Sequence, residues 1–178
     1  MKLLTVNGNP KLMKGDKISD KYLSAIMHLS PINTRICPYQ DIRKCKKACL
    51  NTAGRGGIFK KGETTNVIQE ARKRKTNLFL NDRDTFMKLL VKDIQAFIRK
   101  CDRLGKKPCV RLNSTSDIQF EQIPIDGYAN IFDMFSDVQF YDYTKIPTRK
   151  VSHIKNYHLT WSYSEANDKY AKLFDSVP

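Results

Sequence analysis

Three short apolar runs set the main constraint on this chain: CVRL at Cys109–Leu112, VQFY at Val138–Tyr141 and YHLTW at Tyr157–Trp161. Each is too short for a stable helix and carries β-branched or aromatic residues, so each reads as a buried strand. They follow the most regular amphipathic segment of the sequence. From Asp82 to Leu104, residues Phe86, Leu89, Leu90, Ile94, Phe97, Ile98 and Cys101 fall on one helical face, and Gly105 and Pro108 end it. Helical turns are expected over Tyr128–Phe135 and Thr148–Ile154, and a further helix over Ala166–Phe174. Strand alternating with helix predicts an α/β fold with right-handed crossovers and a parallel sheet. A complete (β/α) barrel takes about 250 residues. A chain of 178 residues therefore supplies a partial barrel or an open parallel sheet, in a single domain over 1–178.

The earlier part of the chain is less regular. LLTV near the N-terminus reads as a strand. Asp20–Leu29 carries Tyr22, Leu23, Ile26, Met27 and Leu29 at helical spacing, with Ser19 or Asp20 as cap. Thr64–Lys75 reads as a helix with a basic exposed face.

In parallel sheets ligands bind at the carboxyl ends of the strands. Here the three runs lead into Asn113–Asp117, into Asp142–Lys145 and into Ser162–Glu165. Asn113, Asp117, Asp142, Lys145 and Glu165 are thus candidates for a shared ligand cavity. As single residues, most of them also suit the cap of a following helix.

The segment from Cys37 to Gly57 holds three of the five cysteines and three of the eight glycines. Cys37, Cys45 and Cys49 are spaced C-x7-C-x3-C, within an irregular loop expected over about 31–62. Three readings fit that spacing: thiolate ligands of a [4Fe–4S] cluster, three of the four ligands of a zinc site, or ordinary buried cysteines. A fourth ligand would come from His28, His153, His158, Asp142 or another cysteine. Gly54, Gly56 and Gly57, with Arg55 between them, free the backbone to bring N–H donors close to cluster sulfur. Arg43, Lys44, Lys46, Lys47 and Arg55 would offset the charge of thiolates. Cys101 and Cys109 lie in apolar surroundings and read as small hydrophobes. An odd cysteine count and the absence of a signal-peptide pattern point to a reducing compartment rather than a disulfide framework.

The net charge is +14, from 32 Lys and Arg against 18 Asp and Glu. Such a field attracts polyanions, so a basic nucleic-acid-binding protein with a structural metal site is the alternative reading. No run approaches the ~20 apolar residues of a membrane span.

The ordered series C-x7-C-x3-C-LNTAGRGG, RKRKTNLFLNDRDTF, VRLNSTSDIQFE, VQFYDYTK and NYHLTWSYSEAN resembles the phage gene product 88 family, over residues 30–168. The resemblance extends, more distantly, to radical S-adenosylmethionine (SAM) proteins. It implies an iron–sulfur cluster on Cys37, Cys45 and Cys49 in a reduced barrel. It also implies a small ligand at the cluster, SAM among the candidates, and a redox or radical-type role in the host cytoplasm, with an oligomer one of the forms the protein could take. Those proteins generally carry C-x3-C-x2-C and a glycine-rich GGE-type motif; this chain has neither, and weak or no SAM cleavage is expected.

Overall fold

The computed structural model of the chain describes residues 1–7, 10–31, 33–42, 45 and 49–162. Five strands form one open sheet in the order β1-β2-β3-β4-β5: β1 (Leu4–Val6), β2 (Tyr22–Met27), β3 (Lys107–Arg111), β4 (Gln139–Thr144) and β5 (Tyr157–Trp161). β1 pairs antiparallel with β2, and every later pair is parallel. The fold is mixed α/β, as expected. Neighbours in the sheet are neighbours in the chain, and crossovers that share one hand deliver their connections to one side of such a sheet.

Helix α1 (Pro10–Ser19) precedes β2, where no element is legible in the sequence. The expected helix over Asp20–Leu29 is instead strand β2. YLSAIM is paired on both edges, Ala25 facing Val6 on one side and Val110 on the other. Leu23 to Met27 are all buried, and a strand covered on both faces gives an unbroken apolar run that periodicity cannot separate from a buried helix. Asp20 is not a helix cap. Its φ of 47° turns the chain between α1 and β2.

Helix α2 (Val67–Asn81) starts where Asn66 Oδ1 accepts from the amides of Ile68 and Gln69, at 3.0 and 2.9 Å. Helix α3 (Arg83–Arg103) buries Phe86, Met87, Leu90, Val91, Ile94, Phe97 and Cys101. Asp82 caps its start, and Gly105 closes its end at a φ of 61° that a side chain resists. Helix α4 (Ile131–Met134) lies within the expected 128–135 turn. Thr148–Ile154 forms turns rather than a helix. Arg149 is drawn inward there by two carboxylates, and that geometry replaces helical hydrogen bonding. The expected helix over Ala166–Phe174 lies outside the described residues.

The two faces of the sheet differ. Ala25, Val110, Phe140 and Tyr157 form one cross-strand row and join a buried cluster with Phe79, Phe86, Leu90, Ile94 and Phe97. Phe132 stacks on Tyr157 at 4.0 Å between centroids and meets Phe140 edge-on at 5.0 Å. Side chains alternate along a strand, so Ile26, Arg111, Tyr141 and His158 belong to the other face. There α1 covers β2 by way of Asp16, whose carboxylate accepts from the Ser24 hydroxyl at 2.6 Å and amide at 3.0 Å. Farther along, Arg111 and Tyr141 are half-buried and His158 is exposed.

Candidate functional site

The loop after β3 organises the carboxyl edge of the sheet. Thr115 Oγ1 donates to the Leu29 carbonyl, and the Asp117 amide donates to the Ile36 carbonyl at 2.8 Å. These bonds tie the exit of β2 and the start of the cysteine segment to β3. The Cys37 amide donates to Asn33 O (3.1 Å), the Gln40 amide to Cys37 O (3.2 Å) and the Cys45 amide to Gln40 O (3.0 Å). Cys49 opens a short 3-10 turn at Leu50–Thr52, where its Sγ accepts the Asn51 amide at 3.4 Å.

The structure places Cys45 and Cys49 within electrostatic reach of Cys37. All three are half-buried, and none forms a disulfide. Burial pushes the Cys37 thiol up to about 12; Asp117 and the thiols of Cys45 and Cys49 push the same way, and only Lys145 opposes them. Asp117, Lys145, Cys45 and Cys49 therefore all lie within electrostatic reach of Cys37.

The donor set can be tested against a metal group. Among the described residues, no three of His, Cys, Asp and Glu converge tightly enough to grip one ion. Tetrahedral zinc needs that convergence. In a [4Fe–4S] cluster each thiolate binds a different iron, so the sulfurs converge on a larger group than a single ion. One of the three sulfurs, that of Cys49, already accepts a backbone N–H.

The glycine run has a packing reason of its own. A Cβ on Gly57 would stand 2.0 Å from Thr52 O, and one on Gly56 would stand 2.8 Å from Asn51 O and 2.9 Å from Arg72 Nη1. Gly54 has a φ of 56°, and Arg55 is exposed. The run folds back on the 50–52 turn, and α2 clips both. Gln69 Nε2 donates to Asn51 O (2.6 Å) and Gly56 O (2.8 Å), while Arg72 Nη1 donates to Asn51 O (2.7 Å) and Oδ1 (3.0 Å). The backbone donor seen on a thiol is that of Asn51. Asn51, Gln69 and Arg72 were not among the expected site residues. The available signal was a buried-type amide opposite the LNTAGRGG motif.

The carboxylates at the strand ends are engaged with the protein. Asp117 accepts from Thr144 Oγ1 (2.8 Å), the Lys145 amide (2.8 Å) and Arg149 Nη1 (2.9 Å). Asp142, 1 % exposed, accepts from the Asn113 amide (2.7 Å) and side chain (3.3 Å) and from the Tyr157 hydroxyl (3.3 Å). Burial pushes Asp142 up to about 7 against those bonds. Arg149 also donates to both Glu121 oxygens, at 2.9 and 2.7 Å, and to Tyr157 Oη at 2.9 Å. Burial works against its charge, but Glu121, Tyr157 and Asp117 together hold it protonated. Lys145 Nζ donates to Ser162 O (2.9 Å) and Oγ (3.1 Å). Glu165, Arg43, Lys44, Lys46 and Lys47 lie outside the described residues.

The histidines divide. His153 and His158 are exposed. His28 is pushed down to about 4, first by burial and then by Arg72, Lys75 and Arg111, so it is neutral at pH 7. Cys101 is fully buried in the core.

A model of the family described as gene product 88 matches residues 2–177. The chain belongs to the gene product 88 family. This is the phage family expected from the sequence, and the match takes in the whole thiol segment and all five strands. Searches of curated proteins and of solved structures return no match. Among the described residues, no helix is long and apolar enough to cross a membrane.

Proposed function

We propose that this chain is an iron–sulfur protein of the host cytoplasm, in which Cys37, Cys45 and Cys49 hold a [4Fe–4S] cluster with one iron free of cysteine. The observation that carries this reading is that two half-buried thiols, Cys45 and Cys49, lie within electrostatic reach of a third, Cys37, which follows the residue bonded to the Asp117 amide beyond β3. When bound, such a cluster supplies one-electron transfer. The chain's own residues prepare the place. The Asn51 amide bonds Cys49 sulfur, Lys145 and Arg72 oppose the charge of thiolates, and the Asp117 amide fixes the segment that carries Cys37. The consecutive strand order supports a partial (β/α) barrel, similar to a reduced radical-SAM barrel, with a small ligand such as SAM near the free iron. The role is redox or radical-type.

The test is anaerobic purification followed by iron and sulfide assay, and EPR after dithionite reduction with and without SAM. Brown protein with about four irons per chain supports the reading. A colourless protein carrying stoichiometric zinc overturns it. Sustained formation of 5′-deoxyadenosine overturns the expectation of weak SAM cleavage.

A second reading, a basic nucleic-acid-binding protein with a structural metal, draws on the net charge of +14 and on Arg111, whose guanidinium lies 4.8 Å from the centre of the Tyr143 ring. Stacked cation–aromatic pairs of this kind serve single-strand binding.

A further inference from the structure

Four large apolar side chains between Leu50 and Val67 stand in water. Leu50 is 60 % exposed, Ile58 68 %, Phe59 41 % and Val67 83 %. One exposed apolar residue is ordinary, but several at one place mark a contact surface. Local contacts bring these four to one corner of the molecule. Gly57 packs against Thr52, at the end of the 50–52 turn, with no room for a Cβ. Asn66, just before Val67, donates from Nδ2 to the carbonyls of Arg55 (3.3 Å), Gly56 (3.3 Å) and Ile58 (2.8 Å). Thr52, Gly57, Ile58 and Asn66 are thus held together, and Leu50, Phe59 and Val67 each lie within two residues of one of them. The core does not claim Val67: α2 buries Gln69, Thr76 and Phe79, and Val67 is on the side away from Thr76.

The rim of this corner is basic. Lys60 and Lys61 follow Phe59 directly, in a turn closed by the Glu63 amide on Lys60 O at 3.0 Å, with Gly62 at a φ of 84°. Arg55 is exposed in the glycine run, and Arg74, seven residues after Val67, shares its side of α2 and is exposed too. Glu63 is the exposed carboxylate facing these four cations. Glu70 is engaged, by Thr65 Oγ1 at 2.7 Å and Lys73 Nζ at 2.9 Å. That combination selects the partner. Single-stranded nucleic acid is held by stacking its bases on aromatic rings, which aliphatic Leu50, Ile58 and Val67 do not offer. A second copy of this chain brings the same positive charge and is repelled. A protein partner needs a matched wall, whereas these side chains stand on three separate pieces: a 3-10 turn, a loop and a helix start. An anionic lipid surface suits both parts without a fixed shape. Its headgroups attract Lys and Arg, and its acyl boundary takes up apolar side chains.

We propose that this corner docks the protein on an anionic membrane surface, with Leu50, Ile58, Phe59 and Val67 entering the headgroup boundary and Lys60 and Lys61 lying on lipid phosphates. The contact is peripheral and needs no spanning segment. Cys49 directly precedes Leu50, so docking sets the thiol segment beside the lipid. The proposal does not rest on the cluster, and its failure and that of the cluster are separable.

The experiment is co-sedimentation of the full chain with vesicles of phosphatidylcholine alone and of phosphatidylcholine and phosphatidylglycerol in equal parts, at about 0.1 M salt. Binding to the mixed vesicles and little to the neutral ones is expected. Ile58→Ser combined with Phe59→Ser should weaken it by about tenfold or more. Lys60→Gln combined with Lys61→Gln should do the same. Ile18→Ser, at a position 76 % exposed on α1, should leave binding unchanged. Folding of each variant is checked by circular dichroism. The emission of Phe59→Trp should shift to the blue on mixed vesicles, which reports entry into the apolar boundary. Failure to sediment with either vesicle overturns the proposal. So does binding that needs the lysines but not Ile58 and Phe59, because the corner would then attract any polyanion. Oligothymidylate binding lost in the Ile58→Ser, Phe59→Ser protein would assign the corner to nucleic acid, and a dimer abolished by Phe59→Ser would assign it to a second copy; either result also overturns it.

Discussion

Arg149 Nη1 lies 2.9 Å from Asp117 Oδ1, and the amide of the same Asp117 donates to the carbonyl of Ile36, the residue before Cys37. A buried ion pair and a thiol are thus joined through one residue. Both charged side chains are almost wholly out of water. Removing one partner of such a pair leaves an uncompensated buried charge. Arg149→Met should therefore lower stability by about 3–5 kcal/mol, read as a fall in the urea midpoint. Lys73→Ala breaks the exposed pair with Glu70 and should cost less than about 0.5 kcal/mol. Equal effects would refute this ranking.

Cys37→Ala, Cys45→Ala and Cys49→Ala should each remove most of the bound iron, since three thiols leave no spare ligand. Cys101→Ala should not, because that side chain is buried in the core. Iron and acid-labile sulfide per chain decide the matter. Bleaching by Cys101→Ala but not by Cys45→Ala would show that the ligands are wrongly assigned.

His28 titrates lower in the folded protein, near 4, than its ordinary 6.5. Between those values the unfolded chain binds the additional proton, so stability rises with pH. The contribution is complete above about 6.5 and is lost as pH falls towards 4, with a slope of at most about 1.4 kcal/mol per pH unit. His28→Gln should flatten the stability profile across that window. An unchanged slope would assign the acid sensitivity to other groups.

Gly57→Ala places a methyl group against Thr52 O. It should destabilise the 50–57 turns by about 1–3 kcal/mol and lower iron content. Gly15→Ala in α1 meets nothing within 4 Å and should stabilise by about 0.5–1 kcal/mol. Thermal midpoints of the two variants should move in opposite directions.

If nucleic acid is held only by charge, its affinity should fall steeply with salt. The logarithm of affinity would change by about −0.9 per duplex phosphate neutralised for each unit of log salt. One sequence retained at high salt would promote the binding-module reading over the iron–sulfur one.

Helix α3 was legible because its apolar residues recur at the helical period, and β3, β4 and β5 because each includes a short apolar run with β-branched or aromatic residues, too short for a helix. β2 was not, since burial on both faces removes the alternation that marks a strand. The thiols could be found by residue type and spacing. Their supports could not: Arg149 meets Asp117 32 residues away, and Gln69 meets Asn51 18 residues away. Such pairs exist only once the chain is folded. The strand-end carboxylates were visible as residues, but their use as acceptors within the protein depends on that same long-range geometry.

The consecutive order of the strands gives assembly a direction in time. During synthesis each new parallel strand can join the one completed just before it, without waiting for a distant partner. The thiol segment leaves the ribosome after β2, yet the amide that anchors it belongs to Asp117, beyond β3, and the guanidinium that braces Asp117 belongs to Arg149, beyond β4. The cysteines are therefore made well before their seat is finished. A cluster held there, as proposed, would enter late in maturation, and a chain truncated ahead of Arg149 would present its thiols unsupported to the cell.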